Sequence, residues 1–336
     1  MENNVQKTST PPAAAIIRHS FSRPAKMNWI WPLMVMSLVL AAFYALRCAL
    51  TDAALPFTVT SVTGYSIIVI TLTLFAEVFP AVSLSEGFSE RITGAYTGFG
   101  ALILSFLSGV PIMMISIALY NFTAWFDLRL TGKSVYPVFF HYGQIATASG
   151  NILVFLSDCI IPGLGAAIFF FGFMWTRFRS TDTRKAAIVI SLAYMLYSLN
   201  FTAAMSFLVT GVWCCYLRKR MHNIWGPFLC IVGSSLSEYL LPETLSRIDI
   251  FGISTYADIS ATYFYSSLPA FFMGVVLLLF FIRIFDSFAG SVRYEIDESV
   301  YDTTIPPFER SINLALITTA LIFIVLWILV IKGVHL

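Results

Sequence analysis

The sequence predicts an all-α fold, a polytopic transmembrane helical bundle of about 8–9 spans. Three observations predict it. Of 336 residues, 58% are hydrophobic and only 11% are charged, where a soluble domain has about a quarter charged. Mean hydropathy is +0.82. The apolar residues gather in runs near the ~20 residues that a helix needs to cross the hydrocarbon layer. The runs are too long and too unalternating for a barrel, and lipid tolerates only helices or closed barrels.

The elements follow in order. Residues 1–28 are polar, carry Lys7, Arg18, Arg23 and Lys26, and read as a disordered cytoplasmic tail. The run from Trp29 to Leu50 is longer, and starts later, than a signal h-region of roughly 7–15 residues, so it reads as an uncleaved first span. Runs at 59–80 and 97–121 complete an N-terminal set of helices within 29–145. The run at 146–174 is too long for one simple crossing; it contains Asp158, and Pro162 breaks or kinks it. Runs at 186–200 and 201–217 are short and meet at "SLNFT" as a tight pair, and 223–241 closes a core over 146–241. The C-terminal part, 242–336, adds runs at 268–285 and 312–332. Between them lies an acidic loop, 286–311, with Asp286, Glu295, Asp297, Glu298, Asp302 and Glu309 against Arg293 and Arg310. It reads as a solvated linker, or as a docking site for a cytoplasmic partner.

Orientation follows the positive charges. Arg177, Arg179, Arg184 and Lys185 lie in the loop at 175–185, and Arg218, Lys219 and Arg220 follow the run that ends at 217. With nine crossings, both groups share the side of the N-terminal tail. That side is cytoplasmic, and the C-terminus is outside.

Composition excludes several chemistries. Net charge is +2, and no Lys/Arg run is long enough to suggest nucleic acid. Cys48, Cys159, Cys214, Cys215 and Cys230 lie in or beside apolar runs without metal-ligand spacing and read as buried thiols. Palmitoylation of Cys214 or Cys215, near a basic helix end, is the alternative. There is no GxSxG, HExxH, Walker loop or GxGxxG, so neither a metal nor a cofactor is expected. Glu77, Arg47 and Arg283 lie near run ends and read as snorkelling side chains. Asp158 and Glu238, with His141 at a membrane edge, form the weak alternative polar site, although no pair among them has dyad or ligand spacing. Gly94 and Gly98 form a GxxxG, and Gly163, Gly165, Ala166 and Ala167 form a small-residue face suited to close helix packing.

Residues 162–235 carry a more specific pattern. "PGLGAAIFFFGFMWTRFRS" is followed by "TRKAAIVISLAYMLYSLNFT" and then by "FLVTGVWCCYLRKRMHNIWGPFLCIVGSS". The pattern resembles the core of the CPBP family of intramembrane proteases, which includes CAAX prenyl endopeptidases and bacteriocin-processing relatives. Gly172, Arg184–Lys185, Tyr194, Gly211, the basic turn at 218–220 and "NIWGPFL" keep the family's order. The resemblance implies a Glu-Glu pair and an Arg on the first motif helix. It implies a His on the second, and a His with an Asn or Asp partner on the third. Here those positions fall on Ala166, Ala167 and Phe171, on Ser198, and on Ile231 and Ser235. Ala and Ile can neither serve as a general base toward water nor hold an ion. An unused charge at a helix centre costs at least about 2.5–3.5 kcal/mol, so apolar replacements suit a site that has lost its chemistry.

The resemblance therefore implies a catalytically inactive relative. It would act as a binding scaffold or as a subunit of a membrane assembly in the bacterial inner membrane. Expected partners are the lipid bilayer and another membrane or envelope protein, a hydrophobic peptide or a lipidated chain. The alternatives are an active peptidase with a non-standard site and a small transporter or channel component. The last would need an inverted repeat of broken helices, and only 158–165 offers one such element.

Overall fold

The computed structural model describes residues 30–52, 62–83, 98–131, 155–178, 183–240, 245, 248, 261–289 and 314–331. Among the described residues the fold is all-helical. Helix α1 spans Ile30–Asp52. Helix α2, Val62–Leu72, runs on through a π-helical stretch, Thr73–Val78, and a last turn, Phe79–Ser83. Helices α3, Phe99–Leu107, and α4, Gly109–Thr131, meet at Ser108. The next rod opens with a π turn, Leu156–Ile160, continues as α5, Ile161–Ala166, and widens again into a π-helical stretch, Ala167–Met174. Then come α6, Thr183–Tyr197, α7, Ala204–Met221, α8, Trp225–Leu240, α9, Ala261–Ala289, and α10, Leu314–Ile331.

Pro162 does not break the fourth rod. It sits within a continuous rod directly after the π turn, a wide turn that accommodates its ring and its missing N–H. Helix α9 starts at Ala261 and ends at Ala289, beyond the apolar run at 268–285, with Pro269 inside it. Asp286 consequently belongs to a helix rather than to a solvated loop: it pairs with Arg220 and accepts from the Tyr216 hydroxyl at 3.2 Å.

The turn between α7 and α8 explains the "HNIWGP" stretch. His222 ends α7 in the left-handed conformation, and its N–H donates to the Arg218 carbonyl at 3.0 Å. Asn223 then caps α8, its Oδ1 accepting from the Gly226 N–H at 3.1 Å.

The α5 rod is the axis of the bundle. Every residue from Ala167 to Met174 is buried, as expected of a helix that is apolar all round. Around it pack α2, α6, α7 and α8, joined in one core by Leu33, Met36 and Leu40 of α1 and Phe323 and Leu326 of α10. A second layer joins α4, α7, α8 and α9. Helices α4 and α9 are antiparallel, since Pro111 and Ile115 face Gly274 at one end while Phe122 meets Phe264 at the other. These two rods, as Phe99–Asp127 and Tyr263–Ser287, are long and apolar enough to cross a membrane.

Close approach depends on glycine at specific places. A Cβ on Gly109 would meet only backbone, at 2.5 Å from the Gly233 carbonyl carbon and 2.6 Å from the Cys230 oxygen. Gly211 brings α7 against α6, where a Cβ would lie 3.0 Å from the Ser191 Cα. Of the GxxxG pair, Gly94 lies outside the described residues, and a Cβ on Gly98 would meet open space. Backbone cannot yield as a side chain can, so Gly109→Ala should cost about 1–3 kcal/mol, while Gly98→Ala should stay within about 0.5 kcal/mol of the parent. Thermal unfolding of both variants in detergent checks this. Equal midpoints would contradict the α4–α8 contact.

Candidate functional site

The three motif-bearing helices do converge. Ala166, Ala167 and Phe171 from the α5 rod, Tyr194 from α6 and Ile231 from α8 share one buried core. Gly163 lets α8 approach the rod, with the Ile231 Cγ2 at 3.4 Å from where a Cβ would stand. The side chains at the motif positions fill the centre. Ala166 is 2%, Ala167 0%, Phe171 0% and Ile231 9% exposed. Ser198 and Ser235 are half-buried, and the Ser198 hydroxyl is taken up locally, donating to the Met195 carbonyl at 2.7 Å.

Aromatic rings occupy the space between the helices. Phe170 and Phe171 meet Tyr194 with ring centroids 5.1 and 5.6 Å apart, both edge-on. Phe170 also meets Tyr197 at 5.5 Å, and Tyr194 meets Phe207 of α7 at 4.9 Å. Edge-to-face pairs of this kind add about 0.5–1.5 kcal/mol each beyond buried area.

A carboxylate sits in this core, and the sequence reading placed it elsewhere. Glu77, read as snorkelling, is 1% exposed. The π-helical stretch Thr73–Val78 carries it inward against Gly165, the residue before Ala166, where a Cβ would overlap its Oε2. Its carboxylate hydrogen-bonds the Tyr197 hydroxyl. Oε2 has no hydrogen-bond partner among the described residues. The misleading signal was Pro80, three residues on, which suggested a helix end; the helix continues to Ser83. Gly165 within "PGLGAA" was the available clue, since it marks where another group approaches the rod.

Of the other polar candidates, Glu238 does not join this group. Glu238 is half-buried, seven residues past Ile231 on α8, about 10 Å along the helix. Asp158 lies on the π turn, eight residues before Ala166, about 12 Å away by helical rise; its side chain lies outside the described residues, as does His141. No three His, Cys, Asp or Glu side chains gather as metal ligands among the described residues.

Residues 148–234 match the family model described as type II CAAX prenyl endopeptidase Rce1-like. This segment belongs to the CPBP family. The match takes in the whole α5 rod, α6, α7 and the first half of α8, the helices that enclose the buried core. Over this segment the chain is similar to an intramembrane-protease family, and two of its rods are long and apolar enough to cross a membrane. No curated protein and no solved structure matches it.

Gly165→Ala would push the Glu77 carboxylate off its seat and strain its bond to Tyr197. The expected cost is about 1–3 kcal/mol of stability. In Glu77→Ala the carboxylate is gone and only the Thr73 methyl still crowds that Cβ, so the two substitutions should couple by at least about 0.5 kcal/mol. A double-mutant cycle on unfolding midpoints measures this, and strict additivity would show that the two residues do not touch.

Proposed function

We propose that the chain is a catalytically inactive member of its family. It serves as a binding scaffold or subunit of a membrane assembly, in the bacterial inner membrane with the N-terminus cytoplasmic. The observation that carries the reading is the filling of the motif positions. Phe171, at the place of the family's Arg, is fully buried among aromatic rings. Ala166, Ala167 and Ile231 offer no group that could take a proton from water. Hydrolysis needs a water held within reach of a base, and these side chains fill the place where it would sit. The exposed Lys219 and Arg220, with the basic residues at 175–185, support the cytoplasmic assignment of that end.

One observation favours a second reading. Glu77 is a buried carboxylate beside the first motif, hydrogen-bonded to Tyr197 one residue before Ser198. An ionisable group inside a membrane bundle is by default a functional candidate. In this reading Glu77 is the base of a relocated peptidase site.

One experiment separates the two. The tagged full chain is purified in gentle detergent, its co-purifying proteins are identified by mass spectrometry, and it is assayed for cleavage of prenylated and hydrophobic peptides. A near-equimolar membrane or envelope partner with no cleavage is the expected result. Cleavage by the parent that Glu77→Gln abolishes, at unchanged unfolding midpoint, would replace the scaffold reading with the second one.

A further inference from the structure

At the end of the bundle opposite the Arg220–Asp286 pair, an apolar groove of about 640 Å³ opens between helices. Its walls include Trp125 of α4, Met195 of α6, Met205 of α7, Phe264 of α9 and Trp327 of α10, with Phe201 from the α6–α7 turn. The volume lies within the roughly 300–1,000 Å³ of small-molecule sites. We propose that this groove holds an acyl chain of an anionic phospholipid, with the phosphate headgroup at Arg129.

Depth is the first argument. The groove touches the last turns of one membrane-crossing rod, Phe99–Asp127, and the first turn of the other, Tyr263–Ser287. Because the rods are antiparallel, both ends lie at one level, the edge of the hydrocarbon layer. Two tryptophans sit at that level, where indoles are enriched in membrane proteins. The Trp327 indole N–H is satisfied by the Leu196 carbonyl at 3.0 Å, and the Trp125 ring stands 5.4 Å from that of Phe264.

Charge is the second argument. Arg129 lies one turn beyond the groove, with its guanidinium 5.1 Å from the centroid of the Trp125 ring. In that turn Arg129 is exposed, while Asp127 is buried at 4%. A chain lying along Trp125 would bring its phosphate to this guanidinium, which suits bidentate phosphate binding. A neutral peptide segment would gain nothing there.

The turn that leads into Phe201 is held under strain. Leu199 has φ 43°, a left-handed conformation that is an outlier for a bulky residue. It is tolerated because the Leu199 side chain is fully buried in the core. The strained turn places Phe201 in the groove wall. Strain of this kind persists only where the surrounding structure over-determines it.

The test uses the full chain purified in mild detergent and exposed to phosphatidylglycerol or phosphatidylcholine of identical acyl chains. Native mass spectrometry counts the retained lipids. The parent should retain phosphatidylglycerol about fivefold more than phosphatidylcholine, the effect of one arginine near an anionic headgroup. Arg129→Gln, an exposed and conservative change, should remove that preference. Ala204→Leu, which projects into the groove, should displace both lipids. Quenching of tryptophan fluorescence by brominated phosphatidylglycerol, lowered in Trp125→Phe, gives a second readout that needs no groove-filling variant. Equal retention of the two lipids, or a preference that survives Arg129→Gln, would overturn the headgroup assignment. Retention unaffected by Ala204→Leu together with unchanged quenching in Trp125→Phe would overturn the groove. A polypeptide displaced by Ala204→Leu, with no lipid bound, would show that the occupant is a protein instead.

Discussion

The structure depends on enclosing one helix on every side. In water, burying Ala167–Met174 would be driven by dehydration. Among lipid tails, which are as apolar as leucine, that drive is absent, and helices associate through close contact. Each atom pair contributes only about 0.1–0.2 kcal/mol, so the contacts must be many and tight. That is why glycines stand where backbones meet, Gly109 on Gly233 and Gly211 on Ser191, and why large rings fill what remains. Phe169, Phe170, Phe171 and Phe173 are among the largest fully buried side chains.

The same constraint governs the motif positions. A rod surrounded by α2, α6, α7 and α8 leaves no lipid-facing side to which an unused charge could be turned. A charge there must be paired, hydrated or removed. At Ala166, Ala167, Phe171 and Ile231 it is absent, and the space is closed by apolar atoms. At Glu77 a carboxylate is present with one hydrogen-bond partner, Tyr197, and an oxygen that has none. Leaving a buried polar atom unsatisfied costs about 1–3 kcal/mol. Within a bundle otherwise stabilised by dry packing, Glu77 and the buried Arg218 are groups whose presence packing alone does not explain.

Much of this was legible in the sequence, for a physical reason. Each apolar run had to be a helix, because lipid leaves the backbone no other way to satisfy its own polar groups. The runs therefore mark the helices, and the "PGLGAA…NIWGPFL" pattern marks the segment that matches the family. Helix ends were less legible. Helix α9 extends to Asp286 because the Arg220 guanidinium on α7 draws that carboxylate onto the bundle, a tertiary contact that no local pattern encodes. Glu77 was misplaced because Pro80 is compatible with a continuing helix when neighbouring helices and wide turns accommodate it. The direction of its side chain is set by the π-helical stretch, which shifts the helical register and cannot be read from 3.6-residue spacing.

The two ends of the bundle divide the remaining roles. One end carries Arg220, Asp286 and Tyr216 in a polar cluster. The other carries an apolar groove rimmed by tryptophan and arginine. Between them the core is filled by rings, with Ala166, Ala167, Phe171 and Ile231 buried and Ser198 and Ser235 half-buried. In an active relative, binding must deliver a bond to those positions. Here Ala166, Ala167, Phe171 and Ile231 are buried, while Ser198 lies two residues from Leu196 of the groove wall. The enclosed helix packs against α2, α6, α7 and α8 and joins the two ends of the bundle through them.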